Sequence, residues 1–253
     1  MSTEDTFISH LVELRDRLLR GIIAVMAVFL LLFYWAADIY TIFAQPLLAA
    51  LPVDGKMIAT DVVGVFLVPV KVTLLVAFLF CLPYVLFQVW AFVAPGLYAH
   101  EKRLVVPLIV TSSVLFFCGM AFAYFVVFPS VFRFMAAIAP EGVAWMTDIE
   151  KYFSFVLTMF VAFGMTFETP VAVVLLVRMD IVSVAKLKQG RPYVIVGAFV
   201  VAAIFTPPDV VSQLLLAIPL CLLYELGIRI AALIDSKSGG TGERREPGDA
   251  GGA

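Results

Sequence analysis

The stretch FVAPGLYAHEKR, residues 92–103, contains the polar break between the two longest uncharged runs, Val72–Ala99 and Leu104–Phe132. Pro95 and Gly96 predict the end of a helix, because proline lacks an N–H and glycine tolerates turn conformations. The polar residues 100–103 cannot lie in hydrocarbon, where nothing would hydrogen-bond them. The stretch therefore predicts a loop on one face of a membrane, joining two spanning helices.

The composition agrees with a membrane protein. Of the 253 residues, 63% are apolar and only 14% are charged, whereas soluble domains carry about 25% charged residues. The mean hydropathy is +1.06. A net charge of −2 gives no basic field for binding nucleic acid.

The uncharged runs predict an all-α membrane protein with six transmembrane helices. A spanning helix needs about 20 apolar residues, and the runs place the helices at about 21–37, 72–97, 104–132, 152–177, 192–207 and 210–232. We expect the last two spans to be short, because Val210–Tyr224 has only 15 residues before Glu225.

The other segments follow from this assignment. Residues 1–235 form one membrane domain, and the Gly-rich, charged tail 236–253 is predicted to be disordered. The connection Asp38–Lys71 is interpreted as a helical cap along the surface. The mostly polar first twenty residues are not typical of a cleavable signal or transit peptide.

The distribution of basic residues predicts the orientation. Six spans place both termini on one side, and 13 of the 17 Lys and Arg residues fall on that side. Cytoplasmic loops carry the excess of Lys and Arg. Both termini and Glu101 are therefore predicted to be cytoplasmic.

Glu168 interrupts the fourth predicted span. It lies ten residues before Arg178, about 15 Å along a helix, and an acid there costs about 2.5–3.5 kcal/mol on insertion scales. Pro170 leaves the Thr166 carbonyl without its helical donor, and Thr169 adds a hydroxyl nearby. Two interpretations remain: an acid satisfied by neighbouring helices, or a docking or proton-linked polar site.

Two further acids lie at predicted cytoplasmic ends of spans. Taken singly, Glu13 reads as a solvated partner of Arg17, Glu101 as a partner of Lys102, and Phe92 as core. Together they would form a site for a basic, partly apolar peptide. Arginine would suit it, because its planar guanidinium pairs bidentately with a carboxylate.

Thr206 and Gln213 flank the predicted turn before the last span. Alone they read as polar residues at the end of a hairpin, and together they could accept a polar side chain from a neighbouring helix. Glu225 and Arg229 are predicted to pair at i, i+4.

Nothing in the sequence supports catalysis. The two histidines, His10 and His100, lie outside the predicted spans, so an intramembrane hydrolase or metalloprotease would lack its base or ligands. No P-loop or dinucleotide fingerprint occurs. The cysteines fall in apolar runs and are predicted to be small buried hydrophobes. We expect no enzyme, no metal site and no cofactor.

With these residues in place, the chain resembles the TatC family, the multispanning subunit of the twin-arginine protein translocase. The resemblance covers about residues 7–232. Its segments are HLVELRDRLL, IATDV, QVWAFVAPGLYAHEKRLVVP, GMAFAYFVVFP, FGMTFETPVAV, RPYVIVGAFVV and TPPDVVSQLLLAIPL.

The resemblance implies a site for the signal peptides of folded proteins that carry two adjacent arginines. Phe92 and Glu101 match the family's signal-binding loop, with Glu13 and Arg15 contributing from the N-terminal segment. Glu168 matches the acid that faces the concave groove of the family's cupped, glove-like fold of six helices.

The resemblance also implies roles outside that site. Pro46 matches the proline of the first external loop, and Asp209 the acid of the last external turn. Thr206 and Gln213 match the positions where single-span TatA-like and TatB-like subunits dock. The family acts in the inner membrane, uses the proton-motive force and hydrolyses no nucleotide, and homo-oligomers within the complex are expected.

Two other classes of function stay open. A proton-coupled carrier of small solutes built on Glu168 would predict inverted repeats and broken helices at the midplane, and the sequence shows no internal repeat. A passive membrane scaffold predicts that no single carboxylate matters.

Overall fold

The structure, a computed structural model, describes residues 3–49, 57–93, 102–138, 147–206 and 209–239. Nearly all of this part of the chain is helical. The helices are α1 (Thr3–Leu32), α2 (Ala36–Ala49), α3 (Val62–Val93), α4 (Lys102–Phe122), α5 (Phe128–Ile138), α6 (Ile149–Phe167), α7 (Thr169–Arg178), α8 (Val184–Gln189), α9 (Arg191–Phe205) and α10 (Val210–Gly239). A 3₁₀ turn at Phe33–Trp35 joins α1 to α2, and a π-helical turn at Ala123–Val127 joins α4 to α5.

The described residues contain five helical stretches long and apolar enough to cross a membrane. They are Leu11–Ile42, Val62–Phe92, Val105–Met135, Ile149–Arg178 and Val210–Ile234. The sixth apolar helix, α9, has only 15 residues, about 22 Å of helix. The predicted all-α fold with six apolar helices is confirmed, and α9 is short as predicted.

The second span begins earlier than predicted. Helix α3 starts at Val62, ten residues before the uncharged run at Val72. Lys71 does not end the helix, because its Nζ donates to Glu150 Oε1 at 2.9 Å and to Ser154 Oγ at 3.0 Å. The predicted surface connection 38–71 is therefore wrong for its last ten residues, and α2 is its helical part.

The last apolar helix is longer than the short span predicted at 210–232. Helix α10 has 30 residues and continues through Glu225, because Arg191 Nη2 of α9 pairs with Glu225 Oε1 at 2.7 Å. The predicted partner, Arg229, lies farther from the same oxygen, at 3.8 Å. The helix also includes residues 236–239, the start of the predicted disordered tail, and residues 240–253 lie outside the described part.

Cys118 is exposed rather than buried as predicted. It lies in α4 beside Phe117, which is also exposed. An apolar run in a spanning helix does not require that every residue pack against protein, so hydrophobicity alone overestimates burial here.

Two short strands connect loops that are distant in sequence. Met57 and Ile58 pair in parallel with Thr147 and Asp148. The Asp148 carboxylate caps α6 by accepting from the Glu150 and Lys151 N–H groups, both at 3.0 Å. Its other oxygen accepts from the Thr60 hydroxyl and from the Thr60 N–H. These hydrogen bonds, that of the Thr60 hydroxyl foremost, lower the pKa of Asp148 to about 2.

Glycine allows α4 and α6 to approach closely. A Cβ at Gly119 would overlap the backbone carbonyl of Phe163, and one at Gly164 would overlap the Phe116 ring. Phe163 is fully buried at this contact. The two helices therefore form a tightly packed pair at the centre of the protein.

Gly119→Ala is predicted to destabilise the protein by about 1–3 kcal/mol, because the added methyl group would push against backbone that cannot rotate away. Gly197→Ala is the matched control, because a Cβ at Gly197 meets no atom within 4 Å and alanine favours a helix. Thermal unfolding of the purified protein in detergent measures both variants. Equal melting temperatures would contradict the proposed contact.

The lowered pKa of Asp148 predicts a pH dependence of stability. The carboxylate stabilises the fold above its ordinary pKa of 3.8, and this contribution is lost as pH falls from about 4 towards 2. Asp148→Asn keeps the capping oxygen but cannot titrate. We expect the variant to melt lower than the parent at pH 7, with the difference shrinking between pH 4 and pH 2. A difference that did not change over this range would refute the assignment.

Candidate functional site

A groove of about 910 Å³ lies between α1, α3 and α6. Its lining is mainly apolar, so it suits an apolar segment. The lining residues are Leu14, Arg17, Leu18, Gly21, Ile22, Val25, Met26, Lys71, Leu74, Leu75, Phe78, Val85, Gln88, Val89, Phe92, Ser154, Leu157, Thr158, Val161 and Phe205. We refer to this cavity as the groove.

One end of the groove carries Arg17 and Phe92. Consecutive spanning helices run in opposite directions, so the start of α1 lies beside the end of α3. Arg17 donates from Nε at 2.9 Å and from Nη2 at 2.6 Å, both to Glu13 Oε1. Glu13 is therefore paired with Arg17, as its sequence spacing suggested, and the pair lies next to this end of the groove.

The structure gives less support for the other two predicted peptide-binding residues, Arg15 and Glu101. Arg15 is exposed, pairs with Asp16 at 2.8 Å and does not line the groove. Glu101 lies outside the described residues. The structure therefore brings together Phe92 and the Glu13–Arg17 pair, and leaves the convergence of Glu101 with them a prediction.

The opposite end of the groove is polar. Lys71, Ser154 and Thr158 line it, and the Lys71–Glu150 ion pair lies beside them. From Lys71 to Phe92, α3 rises about 31 Å, close to the thickness of a bilayer's hydrocarbon core. The groove thus extends across most of the membrane, with polar groups near both ends.

Gln88 is a functional candidate that the sequence reasoning missed. It lines the groove, it is only 6% exposed, and its Oε1 has no hydrogen-bond partner among the described residues. Buried polar atoms in proteins are nearly always paired. The available signal was a lone amide within the uncharged run Val72–Ala99.

The fourth span, predicted as one helix over 152–177, is divided at Glu168. Helix α6 ends at Phe167 and α7 begins at Thr169. The Thr169 hydroxyl donates to the Thr166 carbonyl at 2.7 Å and so satisfies a group whose helical donor proline removes. The break is thus stabilised locally by residues next to it.

The Glu168 carboxylate itself is not satisfied in this way. Both its oxygens are buried and have no partner at hydrogen-bond geometry among the described residues. Ser112 is close enough to influence the carboxyl group, and because its Oγ only accepts from Trp90 Nε1 at 2.9 Å, its hydroxyl hydrogen is still available to donate. Both interpretations of Glu168 therefore stay open: an acid paired by Ser112 of a neighbouring helix, or a polar site for a partner.

The turn before α10 holds a second pair of unpartnered atoms. Thr206 Oγ1 donates to the Ala202 carbonyl at 2.8 Å, and Gln213 Nε2 donates to the Phe199 carbonyl at 3.2 Å. Asp209 caps α10 by accepting from the Ser212 N–H at 2.7 Å. Asp209 Oδ2 and Ser212 Oγ are buried without a partner in the described part of the chain, and Ser212 was not predicted.

The structure gives little information on two predictions, the role of Pro46 and the absence of a metal site. Pro46 lies within α2, and its side chain is outside the described part. Among the described residues, no group of three His, Cys, Asp or Glu side chains could hold a metal ion.

Comparison with known proteins shows extensive similarity. The family described as Sec-independent protein translocase protein (TatC) matches residues 9–219. The TatC protein of Escherichia coli K12 is 57% identical over 230 residues, which cover 90% of this chain and 89% of the relative. That of Aquifex aeolicus is 37% identical over 230 residues, covering 90% of this chain and 95% of the relative.

Solved structures agree with the sequence comparisons. A crystal structure titled as the twin-arginine translocase receptor TatC superposes with a TM-score of 0.78 at 38% identity, covering 89% of this chain and 99% of that chain. A second, of the receptor in the detergent DDM, gives a TM-score of 0.77 at the same identity and covers 88% and 99% of the two chains.

Proposed function

Because the chain belongs to the TatC family of Sec-independent protein translocase proteins, we propose that it is the receptor subunit of a twin-arginine export system. The resemblance inferred from the sequence is confirmed. The family is a translocase component and not an enzyme, and the relatives and the apolar helices indicate a multi-pass protein of the bacterial inner membrane. We place both termini in the cytoplasm, from the excess of Lys and Arg on that side.

The groove is the observation that carries the proposal. A twin-arginine leader presents two guanidinium groups and then an apolar stretch; the groove has Glu13, paired with the lining residue Arg17, near one end and a largely apolar lining beyond it. Burial of apolar surface there contributes roughly 25 cal/mol per Å². We propose that Glu13, Arg15, Phe92 and Glu101 bind the arginine-bearing part of the leader.

Glu13 can serve a leader arginine without releasing Arg17. Both hydrogen bonds from Arg17 converge on Glu13 Oε1, so Oε2 is left for a second guanidinium. The Glu13 side chain is 40% exposed and thus accessible from water. Glu101 is proposed to hold the other arginine, at the loop that follows Phe92.

We propose that partner subunits dock where buried polar atoms lack partners. Glu168 supplies one such place within the membrane. The turn at Thr206, Asp209 and Gln213 supplies another, because a polar side chain on a partner helix could pair with the buried, unpaired Asp209 and Ser212 oxygens if the turn opens.

Six helices are too few to enclose a pore for a folded protein. TatA-like and TatB-like single-span subunits and further copies of the chain would form the passage, and the proton-motive force would drive transport. Pro46 is proposed to shape the first external loop.

Leader binding is predicted to depend on the two acids. The protein in lipid nanodiscs should bind a twin-arginine leader more tightly than a twin-lysine leader, since lysine cannot pair bidentately. Glu101→Lys and Glu13→Ala should each weaken binding more than tenfold, consistent with the loss of a charge-assisted hydrogen bond. Fluorescence anisotropy of labelled leaders measures the affinities.

The control for that experiment is Asp180→Asn. Asp180 is an exposed acid on the same predicted face, in the left-handed region at φ 56°, which asparagine tolerates. It should bind the leader as the parent does. Equal weakening in all three variants would show only general attraction to negative charge, and an undiminished Glu101→Lys variant would rule out the receptor assignment.

Glu168→Ala is predicted to impair export and not assembly of the fold. Its carboxylate has no partner at hydrogen-bond geometry among the described residues, so we expect the variant to insert, to melt no lower than the parent and to bind the leader normally. Export of a twin-arginine substrate by cells or inverted vesicles should fall at least about tenfold, because a partner helix would lose its polar contact.

The same assays separate the other classes of function. Full export by Glu168→Ala would leave only a structural role for this acid, as a passive scaffold predicts. Uptake of a small solute by the purified protein alone, without partner subunits, would favour a proton-coupled carrier.

A further inference from the structure

In its part of the groove, Gln88 is the one polar side chain with an atom that no described residue hydrogen-bonds. The amide is more than nine-tenths buried, it lines the groove, and its Oε1 accepts no hydrogen bond from the described residues. An acceptor held in apolar surroundings costs free energy until a donor reaches it. An occupant of the groove can supply that donor once the amide, which lines the groove, turns its buried Oε1 towards it.

The position of Gln88 fixes where that donor lies. Gln88 precedes Phe92 by one helical turn on the same face of α3, about 6 Å farther into the membrane. On α1, Gly21 follows Arg17 by one turn and also lines the groove. A Cβ at Gly21 would meet no atom within 4 Å. Space for an occupant is thus open at the depth of the amide.

The chemistry of the acceptor excludes most apolar occupants. Lipid acyl chains carry no donor. The middle of a spanning helix has its backbone N–H groups satisfied internally. The first four N–H groups of a helix are free, so an apolar helix that begins inside the groove would present the donors that Gln88 lacks.

We propose that Gln88 is the polar anchor of the leader: its Oε1 accepts a backbone N–H from the first turn of the leader's apolar helix. This inference rests on the proposed function and names the chemical group of the leader, a backbone N–H, that the groove recognises. With the arginines held near Glu13 and Phe92, the chain that follows enters the groove at Gln88. The anchor would set how deeply the leader lies, independently of its apolar side chains.

The test is a double-mutant cycle between the protein and the leader's backbone. Full-length protein in nanodiscs is titrated with twin-arginine leaders in which single amides of the apolar stretch are replaced, one position at a time, by esters that cannot donate. We expect one or two adjacent ester positions to weaken binding about three- to tenfold, the effect of one neutral hydrogen bond. Gln88→Met should weaken binding of the all-amide leader by the same factor, and esters should then have no further effect.

Two variants guard against a structural explanation. Gln88→Met removes an unpaired buried acceptor, so it should melt no lower than the parent, whereas a purely structural glutamine would lower the melting temperature. Ser113→Ala is the matched control, because Ser113 Oγ is also buried without a described partner and does not line the groove. Its affinity for the leader should stay within twofold of the parent. A third variant, Gly21→Leu, should fill the groove and so weaken the affinity for the leader more than tenfold.

The outcomes separate this inference from the proposed function. If the parent prefers the twin-arginine leader but Gln88→Met binds it equally well, the anchor is wrong and the receptor assignment stands. Ester effects that persist in Gln88→Met, or normal binding by Gly21→Leu, also overturn the anchor. If the parent shows no preference for the twin-arginine leader, both the receptor assignment and the anchor fall.

Discussion

Hydrocarbon offers no hydrogen bonds, so every polar group in this protein must be paired by the chain, exposed at a membrane face, or left at a cost for a partner to pair. The main chain meets this constraint by forming helices over nearly all of the described residues. Side chains meet it through a few specific contacts. The Lys71–Glu150 ion pair lets α3 begin ten residues before its uncharged run, and the Arg191–Glu225 pair lets α10 continue past a charge.

The same constraint explains how the irregular parts of the fold are held. The Thr169 hydroxyl satisfies a carbonyl that Pro170 leaves open, so the fourth span can break without an orphaned backbone group. Asp148 caps α6 and also accepts from Thr60, which joins two loops nearly ninety positions apart. Where α4 meets α6, glycine removes the side chain, and the backbones approach closely. These contacts hold together the helices around the groove.

Against this background we propose that three of the unpaired groups among the described residues mark surfaces for partners. Gln88 lies in the groove, Glu168 at the break of the fourth span, and Asp209 at the turn before α10. The proposed function requires a binding partner at each of these places: the leader in the groove, and partner helices at the break of the fourth span and at the turn before α10. A receptor that must hold and then release its ligands gains from such groups, because their hydrogen bonds form only in the complex.

The sequence by itself determined the class of fold, the number of apolar helices, the short α9, the acid within the fourth span and the family, because hydrophobic runs and local spacing act over a few residues. It also predicted the Glu13–Arg17 pair as one alternative, since i, i+4 neighbours meet on any helix. It misplaced the start of the second span, because the partner of Lys71 lies 79 positions away, and it did not predict the pairing of Glu225 with Arg191, 34 positions away. Only the tertiary structure revealed the groove, the unpaired Gln88 and Ser212, and the internal bonds of Thr206 and Gln213, because whether a polar atom is paired depends on helices that meet in space and not on its neighbours along the chain.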